Sequence, residues 1–90
     1  MAEANENQEQ AAPNLADHEI GEGLKGYRMV KKDWSQREVS RQSGCSQSAI
    51  SNAERGVFSS ETLEALLELY ELDMNELAEW TRSYLALKSA

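Results

Sequence analysis

The 90-residue sequence predicts an all-α fold, and three observations carry that prediction. Apolar residues recur at spacings of three and four from Leu15 onward. No stretch alternates apolar and polar residues over the length of a strand. The only proline, Pro13, precedes the periodic region, which is divided instead by serine caps and glycines. Five helices with short connections make one compact domain.

Met1 to Asn14 is rich in Glu, Gln, Asn and Ala and has no apolar face to bury, so residues 1–16 are expected to be a flexible, disordered tail. The domain proper is expected over 17–80, with a C-terminal helix extension over 81–90. Ile20, Leu24, Tyr27 and Val30 give the first helix an apolar stripe from about Asp17 to Lys32. Gly21, Gly23 and Gly26 weaken its early turns, so its start is expected to lie later than the stripe suggests. Ser35 and Glu38 form a capping box: the Ser35 hydroxyl accepts from the Glu38 amide, and the Glu38 carboxylate returns to the Ser35 amide. The second helix therefore begins at Gln36 and stops at Gly44, which can take the left-handed conformation. Ser46 caps a third helix, Gln47 to Arg55, ended by Gly56. Ser59 or Ser60 caps a fourth, with Leu63, Leu66, Leu67 and Tyr70 inside and Glu61, Glu64, Glu68 and Glu71 outside. Asp73 and Glu76 cap the fifth, which carries a stripe of Leu77, Trp80, Tyr84 and Leu87.

Composition narrows the function. With 40% hydrophobic and 28% charged residues the chain reads as an ordinary soluble domain. No apolar run approaches the roughly 20 residues a membrane span needs. The acidic, amide-rich N-terminus resembles neither a secretory signal nor a transit peptide. The single cysteine, Cys45, allows no internal disulfide, and a cytoplasmic setting is expected. Cys45 itself reads as a buried small hydrophobe at a turn. His18 has no second His or Cys at ligand spacing, so no metal site is expected. No nucleophile–base set or phosphate loop is present, so neither an enzyme nor a cofactor is expected.

The net charge of −7 argues against phosphate binding until it is divided along the chain. Residues 1–22 carry −6, residues 23–56 carry +4 and residues 57–90 carry −5. The basic part holds Lys25, Arg28, Lys31, Lys32, Arg37, Arg41 and Arg55. A molecule polarised in this way can meet DNA on one face.

That basic part contains Gln36 to Arg55, which has the internal logic of a helix-turn-helix. Small Ser40 lies where two helices cross, Gly44 makes the turn, and Val39, Cys45, Ile50 and Ala53 point inward with the polar residues between them pointing out. Ser46, Gln47 and Ser48 are left at the exposed start of the third helix, where hydroxyls and amides reach base edges and the helix dipole favours phosphate. Trp34 plugs the core behind the first turn.

The runs Trp34-Ser35-Gln36-Arg37-Glu38-Val39, Gly44 to Gly56, and Glu61-Thr62-Leu63 with Leu72-Asp73-Met74-Asn75-Glu76-Leu77 together resemble the Cro/C1-type (Xre-like) helix-turn-helix family of prokaryotic and phage regulators. The resemblance covers about Ile20 to Trp80. It implies that Gln47, Ser48, Ser51 and Asn52 read the major groove, with Gln47 suited to adenine N6 and N7. It implies that Gln36 holds a phosphate and braces the recognition-helix glutamine, and that Arg37, Arg41, Ser46 and Arg55 contact the DNA backbone. Three departures from the family pattern stand out. The connection through Lys31-Lys32-Asp33 is about one residue longer than usual, with Asp33 in place of a common glycine. The loop Gly56-Val57-Phe58-Ser59 is about two residues short and lacks the usual basic and proline positions. Glu71 stands where a helix-ending glycine is common.

The function expected is a sequence-specific regulator of double-stranded DNA, a repressor binding an inverted-repeat operator as a homodimer through Val57, Phe58, Leu77, Trp80, Tyr84 and Leu87. Half-sites then lie one helical turn, roughly 34 Å, apart. The alternative is a protein-interaction module that keeps the scaffold, antitoxin-like or binding a regulatory partner, suggested by the acidic flanks and the shortened loop.

Overall fold

The computed structural model describes residues 15–89, so the tail expected over 1–16 lies outside them except for Leu15 and Ala16. Leu15 packs against the core, which places the start of the fold two residues before the expected boundary. Five α-helices follow: α1 (Asp17–Gly26), α2 (Gln36–Ser43), α3 (Gln47–Glu54), α4 (Ser60–Tyr70) and α5 (Met74–Ser89). A π-helical segment, Tyr27–Lys32, prolongs α1. The described residues contain no strand.

The caps explain most of the boundaries. The hydroxyls of Ser35, Ser46 and Ser59 accept from the amides three residues on, those of Glu38, Ala49 and Thr62. Asp73 and Glu76 exchange the two expected bonds, at 2.7 and 2.9 Å. The second half of the Ser35 box does not form: the Glu38 carboxylate turns instead to Arg41 and to the Gln42 amide. A guanidinium one turn on is a stronger partner for a carboxylate than a lone backbone N–H.

α1 begins at Asp17, where the stripe begins, and not later. The Ala16 amide donates to the Glu19 carboxylate at 2.9 Å and steadies the first turn. The helix tolerates its glycines because they let α5 approach. A Cβ on Gly23 would stand 1.9 Å from the Thr81 hydroxyl, and one on Gly26 would stand 2.6 Å from the Tyr84 ring. The Trp80 indole N–H donates to the Gly23 carbonyl at 2.9 Å across the same contact. Local helix propensity is thus given up for close packing between two long elements.

Ile20, Leu24, Val39, Ile50, Ala53, Leu66, Tyr70 and Leu77 form the core, drawn from all five helices. Each large side chain fully buried there stabilises the fold by roughly 1.5–3 kcal/mol. Trp34 packs against this core as expected. Val30 does not: it is 62% exposed. The π segment advances more residues per turn than an α-helix, which rotates position 30 off the stripe. It also takes up the extra residue before α2, and Asp33, at φ 56°, closes it in the left-handed region. Glu71 ends α4 in the same conformation at φ 61°. Both positions are those where the resemblance implies a glycine.

A candidate nucleic-acid interface

α2 and α3 are held at their crossing by the turn between them. Gly44 ends α2 at φ 81°. The Ser40 hydroxyl donates to the Cys45 carbonyl at 2.6 Å, so the small residue at the crossing also ties down the turn. Val39, Ile50 and Ala53 are fully buried, as the inward pattern predicts, and Cys45 is half-buried. α3 therefore lies on the domain with Ile50 and Ala53 packed beneath, and Gln47 and Ser48 of its first turn are exposed.

On the opposite side, Gln47, Ser48, Ser51 and Asn52 fall on one face by their spacing of one, three and four. Gln47 and Ser48 are exposed, while Ser51 and Asn52 are half-buried. Ser46 is exposed at the cap. At the far end Arg55 lies back over its own helix: Nη1 donates to the Ser51 hydroxyl at 3.1 Å and Nη2 to the Asn52 Oδ1.

At the end of α3 lies a buried ion pair. Glu54 is 6% exposed and Arg28, from the π segment, 8%. The guanidinium meets the carboxylate twice, Nε to Oε2 at 2.6 Å and Nη2 to Oε1 at 3.0 Å. Its remaining Nη1 donates to the Trp34 carbonyl at 2.9 Å. Hydrogen bonding to Glu54 raises the Arg28 pKa above its ordinary value and keeps the charge in place despite burial. The Gln36 amide also donates to Glu54, at 2.9 Å. One carboxylate at the end of α3 thus fixes α1, the turn before α2 and the first residue of α2. Among the described residues Gln36 reaches Glu54 and not Gln47, so its brace runs through the other end of the recognition helix.

The bases of the 23–56 segment divide by partner. Arg28 is internal. Lys31 lies over the Trp80 ring at 5.9 Å and Lys32 over Trp34 at 5.2 Å. Arg41 is exposed but paired with Glu38, which lowers the Glu38 pKa and raises that of Arg41. Lys25, Arg37 and Arg55 are exposed and take part in no salt bridge among the described residues. Lys25 and Arg55 line an open groove with Gln36 and Ser51. Its two acids are already matched, Glu54 to Arg28 and Glu22 to Lys88. A surface of short hydroxyls, amides and unmatched cations is suited to phosphates and base edges.

The helix-turn-helix family model matches residues 24–77, more than half of the chain. The chain belongs to the Cro/C1-type helix-turn-helix family. It is a DNA-binding regulator of that type. No curated protein and no solved structure matches it. The Cro/C1-type match spans the brace, both helices of the motif and the opening of α5.

Against this regulator's interface the expected residues stand as follows. Gln47, Ser48, Ser51 and Asn52 share the free face of α3, with Gln36 and Arg37 at the first turn of α2 and Ser46 and Arg55 at the two ends of α3. Arg41 lies a turn away with its charge shared. Of the residues expected at a dimer interface, Leu77 is fully buried in its own core and has no surface to offer a second copy. Trp80 and Tyr84 are half-buried and stacked on each other at 5.5 Å, Trp80 against Tyr27 and Tyr84 over Gly26. Phe58 is half-buried against the core, whereas Val57 and Leu87 are 66% and 76% exposed. The stripe failed at Leu77 because α1 already occupies that side of α5. Lys25, Glu54 and Arg28 were missed. An acid and a base 26 residues apart give no periodic signal, although a Glu inside an otherwise neutral recognition helix could have prompted the search.

No helix among the described residues is long and apolar enough to cross a membrane. No group of three or more potential metal ligands occurs among them.

Proposed function

We propose that this chain is a cytoplasmic repressor that binds an inverted-repeat operator as a homodimer, reading bases with Gln47, Ser48, Ser51 and Asn52. The observation that carries the reading is the exposed first turn of α3, where Gln47 and Ser48 stand beside the Ser46 cap with exposed Arg37, in no salt bridge among the described residues, on the neighbouring helix. Gln47 takes adenine through both ends of its amide, and Gln36, Arg37, Arg41, Ser46 and Arg55 set the register on the phosphates. Occupancy of a promoter then blocks transcription without any chemistry.

The dimer rests on a smaller set than the stripe suggested. The backbone at Gly56 lies against His18, and Lys88 reaches Glu22, so exposed Val57 and Leu87 flank the first half of α1. Two such patches related by a two-fold axis bring two recognition helices to half-sites roughly 34 Å apart.

Selection from a random duplex pool tests the reading. A two-fold motif is expected, with affinity falling steeply as salt rises and reduced by Gln47→Ala and Arg41→Ala. Indifference to both substitutions sinks the assigned contacts. A pool that yields no site, together with a stable protein partner in pull-down, turns the reading to a protein-binding module that uses the exposed Glu61, Glu64, Glu68 and Glu71 face of α4.

A further inference from the structure

We propose that Arg55 sets the base preference of the recognition helix: it holds the acceptor oxygens of Ser51 and Asn52, so Asn52 reads a keto base, guanine or thymine, in preference to adenine. This rests on the reading of α3 as the base-contacting helix and says what one part of it selects.

The orientation of the Asn52 amide follows from chemistry. A guanidinium has five N–H donors and no acceptor, so the Asn52 atom facing Arg55 Nη2 has to be Oδ1. The other end, Nδ2, then carries two N–H groups that Arg55, a donor only, cannot engage. The Ser51 hydroxyl likewise accepts from Nη1 at 3.1 Å, and its own proton is left to donate. These contacts span three and four residues, the spacings at which side chains on one helix face meet.

Major-groove chemistry turns that orientation into selectivity. Adenine is bound bidentately by an amide that accepts from N6–H and donates to N7, which takes both ends of the amide. Arg55 takes one lone pair of Asn52 Oδ1 and turns that oxygen toward itself, which leaves the Nδ2 donors as the end free of Arg55. The N7 of either purine accepts from it, but guanine O6 and thymine O4 accept where adenine N6–H2 opposes a donor, so the keto bases match it better. Gln47 differs: it is exposed and makes no side-chain hydrogen bond among the described residues, so both of its ends remain for adenine. The same helix thus carries one amide open to adenine and one turned to keto bases. Phosphate contact by Arg55 is compatible with this, because Nη1 and Nη2 each spend one N–H and three remain. Arg55 is a positioning residue here, acting through Asn52.

The experiment is selection from a random duplex pool with the full chain and with Asn52→Ala, Gln47→Ala, Arg55→Met and Arg55→Ala. The position whose preference disappears in Asn52→Ala is expected to favour G or T over A by about tenfold in the wild type. In both Arg55 variants that position is expected to accept adenine at least equally, while the Gln47-dependent position keeps its base. Circular dichroism checks that all four variants keep the fold. Adenine at the Asn52 position in the wild type overturns the proposal, as does an Asn52→Ala profile with no changed position. Arg55 variants that lose affinity and salt dependence with an unchanged base profile also overturn it, since that is phosphate contact alone. A wild-type pool with no selected site fails the DNA-reading proposal itself, and this inference with it.

Discussion

Arg28→Met separates a brace from an ornament. The substitution preserves most of the buried stem and removes the two bonds to Glu54, at 2.6 and 3.0 Å, and the bond to the Trp34 carbonyl. Glu54 is then a buried carboxylate with one remaining side-chain donor, the Gln36 amide at 2.9 Å. Breaking a buried pair from one side costs about 3–5 kcal/mol, and the surviving Gln36 bond favours the lower end. A domain of this size has roughly 4–11 kcal/mol in all, so the loss is a large share of it. At about 4–8 °C per kcal/mol, 3 kcal/mol lowers Tm by roughly 12–24 °C. Arg28→Met/Glu54→Leu removes the stranded charge and is expected to recover at least about 2 kcal/mol of the loss, because a buried pair and an apolar replacement are often nearly equal. Urea unfolding followed by circular dichroism and tryptophan emission measures these three proteins and the Glu54→Leu single variant. A single variant within about 1 kcal/mol of wild type, or a double variant no more stable than the sum of the two singles, refutes the brace.

Three further outcomes are expected. Gly23→Ala raises helix propensity by about 1 kcal/mol yet drives a methyl into Thr81, so a net loss of about 1–3 kcal/mol is expected in urea, with a shifted Trp80 emission. Glu71→Gly relieves the left-handed residue that ends α4 and is expected to raise stability by about 0.5–1 kcal/mol in thermal unfolding. The hydrogen bond from Lys88 holds Glu22 below the ordinary carboxylate value of 4.5, so the unfolded chain takes up that proton first as pH falls. The stability difference between wild type and Lys88→Met is therefore expected to be present above pH 4.5 and to vanish as pH falls through the lowered Glu22 value, read by urea titrations at stepped pH.

The parts of the fold legible in the sequence were those written in short-range chemistry. Ser35, Ser46 and Ser59 name their helices because a hydroxyl cap acts over three residues. Val39, Ile50 and Ala53 declare a buried face by spacing alone. What escaped depends on contacts between distant segments. The glycines of α1 look like weak points until Thr81 and Tyr84 are seen against them. Val30 belongs to an apolar stripe only if the helix stays α, and the π segment changes its phase. Leu77 reads as surface in a stripe because the stripe does not say which side α1 will cover. The site divides in the same way: the face of α3 was legible from its own four polar residues, whereas the Arg28–Glu54–Gln36 brace joins three elements and has no pattern in any one of them.

An eight-residue helix such as α3 is far too short to be stable alone, so its position is imposed by what grips it. The grip and the readout meet at two adjacent residues. Glu54 turns inward, where Arg28 and Gln36 fix the end of the helix to α1 and α2. Arg55 turns outward, where it orients Ser51 and Asn52 on the free face. The loop that follows, residues 56–59, carries no basic residue. The two residues answer to different assays. Loss of the Glu54 brace lowers stability and lets the whole helix shift, so affinity falls without a new base preference. Loss of Arg55 is expected to leave the fold standing and, on the proposed reading of α3, to change one position of the site. The local geometry of α3 is therefore separable from its attachment, and the two can be changed independently.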